Sequence, residues 1–397
     1  MLSGSPSYAR SVDEGLRIDA VEVRVVALPM VEPFVAAHGT VDRRTLVLVR
    51  VIGPEGEGWG ECAALPEPTY SPEFVEGARV TIVEELAPRL LRVHGPVSTQ
   101  SLDAAFADVV GNPMARAAVE MALLDAQGRR SGTALATLLS PRAPGPRERV
   151  PAGIALGLHD APDALATTVR TRIDEGYRRI KVKIAPGRDV DFVRAARDAA
   201  GPDVVLLADA NGAYRWDGPP GASDDARGLV ALDPFGLAAI EQPLPPDDLL
   251  DSAELARRLA TPISLDESIG SPTLVREALD MGACSVVCVK APALGSWRAA
   301  ADVLDHCAGL GIDAYVGGML DGGIGRAATI ALAAHPGASL AGDVSATARF
   351  FTDDVCAPIE VVDGSISVPT GAGLGVEVDL DAVGRLQIRS TTVRRSD

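Results

Sequence analysis

Three acids and three lysines in the middle of the chain have the types and spacing to do chemistry on a carbon acid. Residues 179–184 read RIKVKI, with Lys181 and Lys183 two apart and Ile180, Val182 and Ile184 interleaved. In an extended strand alternate side chains face opposite ways, so the two lysines share one face and the aliphatic residues the other. Further on, Asp209 lies near the end of VVLLADAN, Glu241 in AAIEQP, Asp266 in PISLDES and Lys290 at the end of SVVCVKA. Each acid follows its own apolar run. Three carboxylates brought to one point repel each other unless a cation sits among them. An all-oxygen set with room for water suits Mg²⁺, with Mn²⁺ as an alternative. A divalent ion that binds a substrate carboxylate also stabilises the enediolate formed when the α-proton leaves. Lys183 is then the candidate base and Lys181 its electrostatic partner, because a second cation beside a lysine favours the neutral amine. Asn211 reads as a substrate contact or as a residue supporting the metal ligands, and Glu267 is expected to turn away from the metal because it neighbours Asp266. The bland alternative is that each acid is a strand-end residue paired with a lysine. That reading suits any single acid better than it suits three in register between lysine-bearing strands.

The elements must bring these residues together. Eight short β-rich runs recur from residue 149: 149–157, 179–184, 204–211, 238–243, 262–268, 285–291, 313–319 and 339–344. Their spacing leaves room for one helix and two loops between neighbours, and DSAELARRLA and SWRAAADVLDHCAGLG read as amphipathic helices. Eight β/α units in a row close a (β/α)8 barrel. The competing doubly wound sheet lacks its glycine-rich nucleotide fingerprint. A parallel barrel has no water-facing sheet surface, so Lys181 and Lys183 are expected to point inward near the C-terminal mouth, with Lys290 across from Lys183. Before the barrel, DAVEVRVVALPMVEPF and RTLVLVRVIGPEGEGWGECAA read as strands, and NPMARAAVEMALLDAQGRRSG as a helix with Pro113 in its first turn and Asn112 as a cap. The expected division is an α+β capping domain over 17–130, the barrel over 131–346 and a C-terminal tail over 347–397 that returns to the cap.

Composition excludes several partners. The formal charge is −17, with no long basic cluster, which argues against nucleic acid and against an anionic membrane. The first sixteen residues lack an apolar core, no run is long enough to span a bilayer, and five dispersed cysteines show no CxxC pair. These features fit a cytoplasmic protein with reduced thiols. The expected partner is a small-molecule carboxylate substrate, and the expected assembly is a homo-oligomer.

The motifs PMVEPFVAAHGT, GEGWGEC, RIKVKIAPG, ADANGAY, IEQPL, TPISLDES, GGMLDGGIGRAA, GDVSATARFF and VPTGAGLGV resemble those of the enolase superfamily. The likeness is to its muconate-lactonizing subgroup and, within it, to the o-succinylbenzoate synthase / N-succinylamino acid racemase family. It covers about residues 19–378. It implies that Lys181 and Lys183 form the K-x-K motif, that Asp209, Glu241 and Asp266 hold the metal, and that Lys290 is the lysine of the opposite face. It also implies that Gly318 and Met319 lie beside the substrate and that PFVAAHGT (33–40) closes over the site. The activity implied is dehydration of 2-succinyl-6-hydroxy-2,4-cyclohexadiene-1-carboxylate in menaquinone biosynthesis. The alternative is racemisation of N-succinylamino acids with Lys183 and Lys290 as opposed bases, and both activities are open. APALGSW (291–297) departs from the family's Pro-Gly-Arg-x-Gly-Gly-like stretch. GDVSA lacks the Asp-x-Asp usual in dipeptide epimerases. A Schiff-base aldolase would use a barrel lysine but leave three acids unexplained, and a metal-stabilised scaffold would leave the facing lysines unexplained.

Overall fold

The computed structural model describes residues 15–36, 39–216, 220–222 and 224–395. Its first part is an antiparallel sheet built from β1 (Ala20–Ala36), β2 (Gly39–Gly53) and β3 (Gly56–Cys62). The last strand of the chain, β13 (Gln387–Arg394), pairs with β1, giving the order β13-β1-β2-β3. Helix α1 (Pro113–Ser131) lies across β3. The glycines of GEGWGEC explain how closely: a Cβ on Gly58 or Gly60 would come within 2.2 or 2.0 Å of the carbonyl oxygens of Ala122 or Ala118. Asn112 occupies the N-cap position of α1 but its side chain makes no capping bond. The Glu73 carboxylate takes that part, accepting from the N–H groups of Met114 and Ala115 at 2.8 Å each.

The second part is the parallel sheet. It contains β5 (Gly153–Leu156), β6 (Arg179–Lys183), β7 (Val205–Asp209), β8 (Ile240–Glu241), β9 (Ile263–Leu265), β10 (Val286–Val289) and β11 (Asp313–Val316) in sequential order. The eighth run forms no regular ladder, yet its backbone closes the ring. The N–H groups of Leu340 and Asp343 donate to Ala314 O and Val316 O at 3.0 and 2.9 Å, and Gly153 N donates to Val344 O at 3.0 Å. The architecture is therefore a (β/α)8-type barrel whose last strand is irregular. A short antiparallel pair, β4 (Arg149–Pro151) with β12 (Ser365–Ser367), lies just before the first barrel strand.

Helices α2 (Pro162–Asp174), α3 (Val190–Ala200), α4 (Leu249–Ala256), α5 (Pro272–Met281), α6 (Trp297–Leu310) and α7 (Gly323–Ala333) connect the strands. Between β7 and β8 the connection is a 3₁₀ helix over Ala226–Phe235 that contains Pro234. Of the stretch 217–225 that precedes it, residues 217–219 and 223 lie outside the described residues. After the eighth strand a 3₁₀ turn, Thr347–Arg349, stands where a helix would complete the pattern. Ile180 and Val182 are buried in the main core with residues of the surrounding helices, and that core includes Val26, Leu28, Leu46, Leu48 and Trp59 of the cap. Inside the barrel a smaller group, Leu207, Ala239, Val286, Cys288 and Tyr315, fills the space beneath the charged residues. Among the described residues no helix is long and apolar enough to cross a membrane. All five cysteines are free and buried.

Candidate active site

Strand register places the acids and lysines in one layer. Lys183 is opposite Asp209, and Asp209 is opposite Glu241. Lys183 Nζ donates to Asp209 Oδ2 and Asn211 Oδ1, each at 2.6 Å. Lys181 Nζ donates to both oxygens of Glu241 at 2.7 and 2.8 Å and to Asp343 Oδ2 at 2.7 Å. On β10's C-terminal end Lys290 Nζ donates to Asp266 Oδ2 at 2.6 Å and to Tyr70 Oη at 2.9 Å. Gly317 leaves space for that lysine, because a Cβ there would sit 2.6 Å from Lys290 Cε. Since β6 and β10 are four places apart in an eight-membered ring, Lys183 and Lys290 approach from opposite walls.

Burial sets the electrostatics. It would by itself push the Lys181 ammonium towards losing its proton, but Asp343, Glu241 and Asp209 outweigh it and hold the pKa well above the usual value. Lys290 is treated alike: burial opposes its charge, and Asp266 leads the groups that retain it. Asp209, although buried, is held below the ordinary carboxylate range by Lys183 and Lys181. Glu241 goes the other way. Burial, then the neighbouring Asp209, raise it to about 7 despite the Lys181 contact. Burial and the charge of Asp266 push Glu267 up to about 8. Lys181, Lys183, Asp209, Asn211, Lys290, Gly318 and Met319 all line one cavity of ≈ 90 Å³, which Tyr70 enters from the cap.

Residues 20–140 match the mandelate racemase / muconate lactonizing enzyme N-terminal domain, and residues 164–382 match the enolase C-terminal domain-like family. The chain belongs to the enolase superfamily of enzymes. It is 43% identical over 361 residues to an N-succinylamino acid racemase from Amycolatopsis sp, covering 91% of this chain and 95% of that relative. It is 38% identical over 374 residues to an o-succinylbenzoate synthase from Geobacillus kaustophilus, covering 93% and 96%. A solved enolase-superfamily structure from Listeria innocua superposes with a TM-score of 0.89 at 33% identity, covering 96% of this chain and 100% of that one.

In this enolase-superfamily barrel, the three acids expected to share one centre each engage a lysine. Glu241 and Asp266 come together with Cys288, their ligand atoms within 4.8 Å of one another, while Asp209 stands outside that group. The residues fit a divalent cation on two grounds. Asp266 Oδ1 and Glu267 Oε2 are buried with no hydrogen-bond partner among the described residues. Five carboxylates, those of Asp209, Glu241, Asp266, Glu267 and Asp343, also share four cations, Arg179, Lys181, Lys183 and Lys290. Burial and the charges of Glu241 and Asp266 hold the Cys288 thiol well above its usual pKa, so it stays protonated and is a poor ligand for a hard ion. The set is in effect an oxygen set.

Glu267 lies beside the site and is held by Asn211. Its carboxylate accepts from Asn211 Nδ2 at 2.8 Å and is not among the ligand atoms that converge with Glu241 and Asp266. Asn211 (φ 43°) and Gln242 (φ 40°) both adopt left-handed backbone beside the acids, a local cost that marks them as positioning residues. Gln242 Oε1 accepts from Asp266 N at 3.1 Å and from Ser268 N at 3.2 Å, which ties IEQP to LDES. Sequence reasoning missed Asp343, which pairs with both Lys181 and Arg179, and Tyr315, whose hydroxyl donates to Glu241. Arg179 was within reach, because the same period-2 alternation puts it on the face of Lys181 and Lys183. Of PFVAAHGT, residues 37 and 38 lie outside the described residues.

The cap grips the loop that carries Gly318 and Met319. Arg44, fully buried, uses all five of its N–H groups on carbonyls: Leu320 O, Met319 O, Ala63 O, Ala64 O and Thr45 O, at 2.6–3.3 Å. Glu61 accepts from Gly322 N at 2.8 Å and Gly325 N at 3.0 Å.

Proposed function

We propose that this enzyme is a Mg²⁺-dependent o-succinylbenzoate synthase that dehydrates 2-succinyl-6-hydroxy-2,4-cyclohexadiene-1-carboxylate. Asp209, Glu241 and Asp266 are the residues that would hold the ion. When bound, the ion supplies Lewis-acid polarisation of the substrate carboxylate. The chain's own groups do the rest. Lys183 takes the α-proton and then, as an ammonium, returns a proton to the departing hydroxide on the same face. Asn211 Oδ1 accepts from Lys183 and orients it, while Glu267 fixes Asn211 by accepting from its Nδ2. Lys290, kept cationic by Asp266 and steadied by the Tyr70 hydroxyl, stabilises the negative charge that develops on the substrate. Tyr70 and the Met319 segment close the cavity against water.

The observation that carries the reading is the pair of lysines on opposite walls of a cavity edged by buried carboxylates. The same pair favours a second reaction, racemisation of N-succinylamino acids, because a lysine on each face can remove or deliver the proton of one carbon. The name of the Amycolatopsis relative supports it. The test is a panel of the cyclohexadiene precursor and several N-acylamino acids, assayed with and without added Mg²⁺. The wild-type enzyme should aromatise the precursor, and Lys183→Ala should abolish both reactions. Wild-type rates persisting in Lys183→Ala would make the lysine a charge partner and overturn the mechanism.

A further inference from the structure

Beside the reaction cavity, and meeting it at Ala155 and Phe350, is a second cavity of ≈ 280 Å³. It lies between the end of β5, helix α2, the turn after the eighth strand and the later part of β1, at Met30, Glu32 and Pro33. None of the lysines or carboxylates described above lines it. Arg172 enters from α2 and Arg349 from the 3₁₀ turn, facing Glu32 of the hairpin.

Both guanidinium groups are only half used. Arg172 Nη1 pairs with Glu175 at 2.6 Å, and Arg349 Nη2 pairs with Glu32 at 3.3 Å. The Nε–H of each is buried with no acceptor among the described residues. A buried donor without a partner costs about 1–3 kcal/mol, and a planar fork is the geometry that a carboxylate satisfies best. His159 is fixed on the same wall, its Nδ1 2.9 Å from Gly157 O and its Nε2 3.0 Å from Thr168 Oγ1. Each arginine already has one carboxylate partner, Glu175 or Glu32, so what the cavity offers an anion is the second, unfilled edge of each guanidinium.

We propose that this second cavity is the subsite for the distal carboxylate of a dicarboxylic acyl chain. Arg349 and Arg172 receive the terminal carboxylate while the reacting carbon lies between Lys183 and Lys290. Ala155, opposite Lys181 in register, and Phe350 form the passage through which the methylene groups run. This assignment rests on the succinyl-substrate reading and adds to it the two residues, Arg172 and Arg349, that would hold the terminal carboxylate. Glu32 competes for Arg349, so the hairpin bearing it also tunes the subsite.

The test is equilibrium binding of N-succinylglycine and N-acetylglycine to the Mg²⁺-loaded full chain, run beside turnover of the corresponding N-acylamino acids. Arg349→Met and Arg172→Met should each weaken N-succinylglycine about tenfold, the scale of 1.4 kcal/mol, and leave N-acetylglycine unchanged. Arg349→Lys should recover part of the loss. Glu32→Gln, which removes the competing carboxylate, should tighten N-succinylglycine severalfold, a gain that misfolding cannot imitate. In turnover the arginine variants should raise KM for the succinyl substrate with kcat largely retained. Equal effects on both ligands, or none on either, would overturn the subsite. Discriminating binding without turnover of any succinyl substrate would instead overturn the proposed function and leave the subsite standing.

Discussion

Lys183 and Lys290 are alike in residue type and unlike in surroundings. Lys183 shares Asp209 with Lys181 and reaches Asn211, whereas Lys290 is locked between Asp266 and the Tyr70 hydroxyl. The difference yields an isotope test. With an N-succinylamino acid of one configuration in D₂O, Lys290→Arg should still exchange the α-hydrogen of the enantiomer that faces Lys183, without net racemisation. Arginine keeps the charge but cannot act as a base. NMR loss of the α-proton signal measures exchange, and polarimetry measures inversion. Racemisation at the wild-type rate would mean that Lys290 is not the second proton carrier. At this scale, what the sequence makes legible is whatever obeys a short period. The alternation in RIKVKI places the lysines, and the strand-end acids follow from their apolar runs. Tyr70 comes from a loop with no period, and Asp343 lies on a strand with no regular ladder, so neither announces itself. The contact of Glu267 with Asn211 is not legible either, because strict alternation stops where β9 ends at Leu265 and the chain begins to turn.

At the scale of elements, the strands position the acids but the cap holds the loop that flanks the cavity. Leu320 in that loop has φ 55°, a strained value for a branched side chain, and it persists because Arg44 and Glu61 fix the segments on either side. Glu61 carries a pH signature. Burial first, then the charge of Asp321, raise its carboxyl from 4.5 to about 8, although two backbone N–H groups favour the ionised form. The folded state thus holds this proton more tightly than the unfolded chain. Its contribution to stability is complete below about pH 4.5 and is lost as pH rises through about 8. Glu61→Gln should flatten that fall by on the order of 3 kcal/mol between pH 5 and 8, read from urea midpoints. Parallel profiles for the two proteins would remove Glu61 from the account. The spacing of the β-rich runs makes the barrel legible before any coordinate. The 3₁₀ helix with Pro234 and the irregular eighth strand are not, because both depend on contacts made only once the ring closes.

At the scale of the molecule, the question is whether cap and barrel are separable. The main core runs without a break from Val26, Leu46 and Trp59 of the cap into Ile180 and Val182 of the barrel, and Met319 of the barrel packs into the cap's own core. Helix α1 ties the tail to the cap: Asp125 accepts from Trp59 N at 2.9 Å and from Leu374 N of the tail at 2.7 Å. The tail then crosses back as β13, whose seven partners on β1 run from Ala20 to Val26. Most β13 side chains are exposed, so what it supplies is backbone pairing and cover for an edge rather than buried apolar area. Two consequences follow from shared cores and a peripheral strand. The intact chain should unfold in one calorimetric transition, because neither part retains its core without the other. A chain ended after Leu386 should still melt in one step, at a lower temperature, with near-ultraviolet and far-ultraviolet signals falling together. It should also aggregate more readily through the bared edge of β1. A cap that melted first, with barrel ellipticity intact, would show that the shared core is too weak to join the two. Activity would then be lost at the cap's melting point, since Tyr70 is delivered from that side.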